Sequence, residues 1–143
     1  MSEVKYESKI VSTPSSVESV YRVCSNMQNL ERMKELIPQD RVQEIEFQKD
    51  SARFKLDGLG QKLSIRIIAK EENDYVKYGV EDAPVDGNCW IQFKPASKHE
   101  TFIRLTVKLD LPLMFRAMMS SKAQGWIDQA AEMIAKIPFE EWK

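Results

Sequence analysis

Histidine and cysteine are scarce: His99 stands alone, and Cys24 and Cys89 are the two thiols in 143 residues. His99 lies in the charged stretch PASKHE. With no second imidazole for a metal site and no evident partner as a general base, it reads as an exposed turn residue. The two cysteines have no metal-ligand spacing and read as free buried thiols of a reducing compartment. The chain also lacks a Walker loop, a dinucleotide fingerprint and a nucleophile elbow. Gly58-Leu59-Gly60 sits between two strand patterns rather than before a helix, which makes it a hairpin turn. No apolar run approaches the ~18 residues of a membrane span, and MSEVKYESKI is charged from its third residue. The expectation is a cytoplasmic protein without integral membrane contact. An excess of either charge is missing too: 21 Lys and Arg face 22 Asp and Glu, a net charge of −1. That balance argues against nucleic acid as a partner and against a polybasic membrane anchor.

What is present is an ordinary globular composition, 43% hydrophobic and 30% charged. The length fits one domain over residues 1–143. At this size a fold buries roughly 70% of its unfolded surface, so a core forms without staples. VKYESKI alternates Val4, Tyr6, Ser8 and Ile10 against Lys5, Glu7 and Lys9, a strand with one wet face. STPSSVE then signals a helix start, with Pro14 in a first turn and Ser15 and Glu18 at capping-box spacing. Val17, Val20, Tyr21, Cys24 and Met27 recur at helical spacing, and after a polar break LERMKELIP forms a second short helix.

From 42 to 110 the chain reads as strands at 42–48, 52–57, 62–71, 75–82, 88–94 and 101–110. Their short connections predict an antiparallel meander. Apolar residues such as Phe54, Ile65, Tyr78, Phe93 and Leu105 share one face, and Lys, Arg and Glu share the other. The charged face must be solvated, so a second layer must cover the apolar one. Residues 112–137 supply it. Phe115, Met119, Ala123, Trp126, Ile127, Ala130, Met133, Ile134 and Ile137 fall in an arc of roughly 120° on a helical wheel. Gln124, Asp128, Glu132 and Lys136 lie opposite. The fold class is α+β: a seven-stranded antiparallel sheet covered by a long C-terminal helix, with two short helices between the first and second strands.

This order resembles the START-like helix-grip superfamily, which includes the polyketide cyclase/dehydrase and lipid-transport family and the birch-pollen-allergen-like proteins. The opening KIVSTPSSVESVYRVCSNMQNLERM is similar to the family's first strand and its Pro-containing helix start. The ending FIRLTVKLDLPLMFRAMMSSKAQGWIDQAAEMIAKI is similar to its last strand and gripping helix. The resemblance implies a sheet curled around the long helix, with a cavity between them for a lipid-, sterol- or polyketide-like molecule. Some members of the group are enzymes, and others bind a chaperone or another protein.

The expected function is therefore non-catalytic binding or transport of a hydrophobic small molecule, with no cofactor and no metal. The expected lining is Phe54, Ile65, Tyr78, Phe93, Leu105, Phe115, Met118, Met119 and Trp126. Apolar residues with few convergent polar groups are the composition such a pocket needs. A cyclase or dehydratase is the first alternative. It needs an acid or base inside, and the inward faces offer only Tyr6, Ser8, Gln43, Tyr78 and Cys89 as polar candidates. A protein-interaction module, similar to the chaperone-ATPase activators of this architecture, is the second; a homodimer is one version of it. It would use an outward apolar patch at Trp90 and Phe102 or at Met114 and Met118. In the simplest hairpin register Trp90 instead lies across from Gly79, a ring covering a strand glycine. The tail PFEEWK carries Phe139 and Trp142, which either fold back onto the body or dock elsewhere.

Overall fold

The computed structural model describes residues 2–32, 42–47, 51–56, 62–81, 86–111 and 123–142. The elements run β1 (Ser2–Glu7), β2 (Val11–Thr13), α1 (Val17–Cys24), α2 (Met27–Arg32) and β3 (Val42–Phe47). They continue through β4 (Ser51–Leu56), β5 (Lys62–Glu71), β6 (Tyr75–Glu81), β7 (Asp86–Ser97) and β8 (Glu100–Leu111) to α3 (Ala123–Ala135). All strands join one 8-stranded sheet in the order β1-β8-β7-β6-β5-β4-β3, with β2 pairing β8 off that path. Every pairing is antiparallel. The α+β architecture expected from the sequence is present, with one more strand than the pattern predicts.

The extra strand comes from a break at Ser8. The Ser8 backbone N–H donates to the Leu105 carbonyl at 2.8 Å, while its Oγ accepts from the Leu105 N–H at 2.9 Å and donates to the Lys9 carbonyl at 2.8 Å. A side chain that replaces ladder bonds in this way ends the strand locally. Alternation restarts out of phase, so Val11 and Thr13 turn inward and Ile10 is left 63% exposed. The expectation that Ile10 shares a buried face with Tyr6 is corrected by that shift.

Helix α1 begins one residue later than the Ser15–Glu18 spacing predicts. Ser16 is the cap, in extended conformation, and its Oγ accepts from the Ser19 N–H at 3.3 Å. Its apolar stripe of Val17, Val20, Val23 and Cys24 packs on the sheet, joined by Met27 of α2. Asn26 makes the break between the helices, its Oδ1 accepting from the Gln28 N–H at 2.9 Å. The β5–β6 hairpin turns through Asn73 at φ 60°, a left-handed conformation that asparagine tolerates.

In α3 the buried positions are Ala123, Ile127, Ala131 and Ile134, while Trp126, Ala130 and Met133 are half-buried. The buried stripe is thus rotated toward Ala131 from the predicted arc. The cause is the seam with the β1–β2 break. Asp128 Oδ1 accepts from the Lys9 N–H at 2.8 Å, Gln124 Nε2 donates to the Glu7 carbonyl at 2.8 Å, and Glu132 pairs with the Lys9 ammonium. Residues predicted to face only solvent instead hold the helix to the first strand.

Beyond α3 the tail folds back onto the body. Ile137 and Phe139 are 2% and 0% exposed. The Glu140 carboxylate accepts from the Ser16 N–H at 2.9 Å and the Ser19 hydroxyl at 2.6 Å, at the start of α1. The Arg32 guanidinium lies 5.7 Å from the centre of the Trp142 ring.

Candidate functional site

The inner face of the sheet is built by register. One row runs Tyr6–Val107–Cys89–Tyr78–Ile67 across β1, β8, β7, β6 and β5. A row beside it holds Leu109, Gly87, Val80, Ile65 and Ala52. Toward the other end lie Leu105, Ile91 and Val76, and then Val11, Ile103 and Phe93. Strand alternation alone puts these side chains on one face.

Cover over that face is uneven. Val76, Ile91, Phe93, Ile103 and Leu105 are buried beneath the helices, and Phe93 meets the Tyr21 ring edge-on at 6.3 Å. By contrast Tyr6, Val107, Cys89, Ile67 and Ile65 face inward but stay only half-buried. On α3, Trp126, Ala130 and Met133 are also half-buried. These inner-face side chains are therefore only partly covered, beside the buried Tyr78, Val80 and Ala52.

The polar groups of this wall are few and quiet. The Tyr78 hydroxyl donates to the Cys24 carbonyl at 2.6 Å, satisfying a free carbonyl at the end of α1. Burial, with the two thiols beside it, pushes the Tyr78 phenol well above its ordinary range. Burial pushes both the Cys24 and Cys89 thiols up to about 12, so they stay protonated and un-nucleophilic near neutrality. The cysteines are free. The Tyr6 side chain makes no hydrogen bond to another described residue. Among the described residues no group of three or more His, Cys, Asp or Glu could hold a metal ion.

Of the lining expected from sequence, Tyr78, Phe93 and Leu105 come together in the central cluster with Ile65 packed against it. Trp126 sits half-buried on α3. Phe54 is placed by backbone register opposite Leu63. Phe115, Met118 and Met119, with Met114, lie outside the described residues. Sequence reasoning missed Val107 and Ile67 as lining. Their inward parity was legible, but their incomplete cover was not. His99 occupies the exposed β7–β8 turn as expected, its N–H donating to Ser97 Oγ at 3.2 Å.

A separate groove of about 380 Å³ lies between Pro14–Ser15 and residues 135–141, where the tail turns over α1. None of the half-buried inner-face residues lines it. No helix among the described residues is long and apolar enough to cross a membrane.

The outward face corrects one expectation. Trp90 pairs with Lys77 and Thr106, whereas Gly79 pairs with Asn88. The side chain over Gly79 is Ile68, placed there by a bulge between Ile67 and Ala69. Trp90 and Phe102 are also not contiguous. The row Gln92–Arg104 separates them, with Arg104 Nε donating to Gln92 Oε1 at 3.2 Å.

No protein-family model matches the sequence, and no curated protein matches it. Solved structures do. Norcoclaurine synthase from Thalictrum flavum, in complex with dopamine and hydroxybenzaldehyde, superposes with a TM-score of 0.74 at 12% identity, over 99% of this chain and 90% of that one. The Zhui aromatase/cyclase from Streptomyces sp. R1128 gives 0.67 at 13% identity, over 94% and 91%. A START superfamily protein from Mycobacterium smegmatis gives 0.61 at 11% identity, over 93% and 94%. At such identities the likeness is one of fold. Sheet order, helix placement and superposition agree on a single conclusion: this chain has the START-like helix-grip fold.

Proposed function

We propose that the protein binds a hydrophobic or amphipathic small molecule without chemical turnover, between the inner face of the sheet and the C-terminal helix. The carrying observation is that Tyr6, Val107, Cys89 and Ile67 face inward yet are half-buried, on either side of the buried Tyr78 in the same row. Exposed apolar area on a concave wall gains free energy when a ligand covers it, about 25 cal/mol per Å² removed from water. Norcoclaurine synthase, whose structure holds two small aromatic molecules, and an aromatase/cyclase share the fold. That likeness supports a ligand on this face more than it supports their chemistry.

The cyclase or dehydratase alternative needs a group that exchanges protons near neutrality. Tyr78 is committed to the Cys24 carbonyl, and both thiols are held protonated. Tyr6 remains as a polar tip able to orient a ligand carbonyl or hydroxyl. The lining proposed for the ligand is Tyr6, Ile65, Ile67, Cys89, Val107 and Trp126, with Tyr78, Phe93 and Leu105 packed behind them. Phe54, Phe115, Met118 and Met119 complete it from the sequence pattern.

Native mass spectrometry of freshly purified protein tests this reading. The expected spectrum shows an adduct of discrete small-molecule mass that organic extraction removes. A bare chain that also takes up none of a panel of fatty acids, sterols and aromatic polyketides would sink the proposal.

A further inference from the structure

The net charge of −1 conceals a segregated surface. Lys77, Trp90 and Thr106 share a row on the outward, convex face of the sheet, and Lys5 lies directly across from Lys108 one row away. The Lys77 and Lys108 ammonium groups both stand over the Trp90 ring, 5.0 and 5.6 Å from its centre. Among the described residues neither has a carboxylate partner. Glu7 is shared by Lys5 at 3.2 Å and Arg104 at 3.3 Å, one anion between two cations. The acids Glu3, Asp110 and Asp86 share the next register row, beyond Lys5 and Lys108 from Trp90, so the cations lie between them and the indole. Like charges directly across strands, as at Lys5 and Lys108, cost stability.

We propose that this convex face, centred on Trp90 between Lys77 and Lys108, docks on an anionic lipid surface. Charge complementarity selects an anionic occupant and rejects a second copy of the same face. The spacing of apolar tips selects lipid over protein. Ile68, one strand beyond Gly79, is 45% exposed, and Phe102, beyond the Gln92–Arg104 row, is 40% exposed. They stand singly among cations. A protein interface buries a contiguous desolvated centre. A headgroup layer accepts separate apolar tips and an indole while its negative potential holds the lysines. Helix α1 and helix α3 cover the opposite face, so docking leaves the proposed ligand face unobstructed. The inference does not rest on that ligand.

Co-sedimentation tests it, with vesicles of phosphatidylcholine plus phosphatidylserine against vesicles of phosphatidylcholine alone. The expected result is binding to the anionic vesicles only, weakened by added salt. K77Q/K108Q should lose roughly tenfold or more of the partitioning, and K77R/K108R should keep it. W90A should weaken binding while retaining the charge preference. K98Q/K136Q, at the hairpin tip and just past α3, removes the same two charges away from this face and should bind as wild type. Circular dichroism checks that each variant is folded. Equal binding to neutral vesicles, no binding to either, or full binding by K77Q/K108Q overturns the proposal. Retention on immobilised polyglutamate with vesicles refused also overturns it, in favour of an acidic protein partner.

Discussion

At the residue scale the hydroxyl of Tyr78 closes the end of α1. Removing it leaves the Cys24 carbonyl buried without its 2.6 Å donor. Tyr78→Phe should cost about 1–3 kcal/mol in urea unfolding while leaving ligand uptake intact, because the ring is the part that lines the wall. A turnover role for the phenol would show the reverse pattern, lost function with stability kept. The two thiols make a second statement. Their pKa values rise from the model-compound value of 9.0 to about 12 through burial. The folded chain therefore holds protons that the unfolded chain releases above about pH 9. Stability is full below that point and falls as pH rises from about 9 toward 12. Thermal melts across that window should show the decline, with a shallower slope in Cys89→Ala. Tyr78 and Cys89 were visible in the sequence as inward polar candidates, and Cys24 as part of the α1 stripe. Their partners were not, because Cys24 and Tyr78 are 54 positions apart and meet only through the fold.

At the element scale the sheet was largely legible, since charge and apolarity alternate along almost every strand from 42 to 110. Pattern reading failed where a side chain replaced a backbone partner. Ser8 split the first strand, turned Ile10 outward and gave β2. The β6–β7 register set Trp90 across from Lys77 rather than Gly79, and the β5 bulge placed Ile68 over that glycine. A two-residue period carries no warning of either event. The helix arc on α3 was rotated because Gln124, Asp128 and Glu132 bind the Glu7–Lys9 segment, a contact that no local pattern records. Two glycines test how closely these elements are packed. A Cβ on Gly87 would lie 2.2 Å from the Lys108 carbonyl oxygen, so Gly87→Ala must separate β7 from β8. A loss of about 2 kcal/mol or more is expected by chemical denaturation. Gly125, on exposed α3, has nothing within 4 Å of such an atom. Gly125→Ala should stabilise by about 0.5–1 kcal/mol through helix propensity.

At the scale of the whole molecule the tail ties the C-terminal helix to α1 and α2. Phe139 is fully buried, so Phe139→Ala should cost about 3–5 kcal/mol, read from the denaturation midpoint. Glu140 has its pKa lowered, first by the Ser19 hydroxyl bond and then by the Ser16 backbone N–H. Its stabilising share is present above the ordinary carboxylate pKa and is lost as pH falls through the lowered one. Glu140→Gln should therefore melt below wild type at neutral pH, and the difference should close in acid. These ties hold helices over one end of the inner face, and Tyr6, Val107, Cys89 and Ile67, flanking the buried Tyr78 in one row, stay half-covered. The most direct test of that row as a ligand wall is fluorescence titration with an apolar naphthalene probe, comparing wild type with Val107→Phe and Ile67→Phe. Saturable binding by wild type, weakened roughly tenfold or more by the filling variants while they remain folded, is the predicted result. Equal affinity in all three proteins, or no saturable binding in wild type, would contradict it.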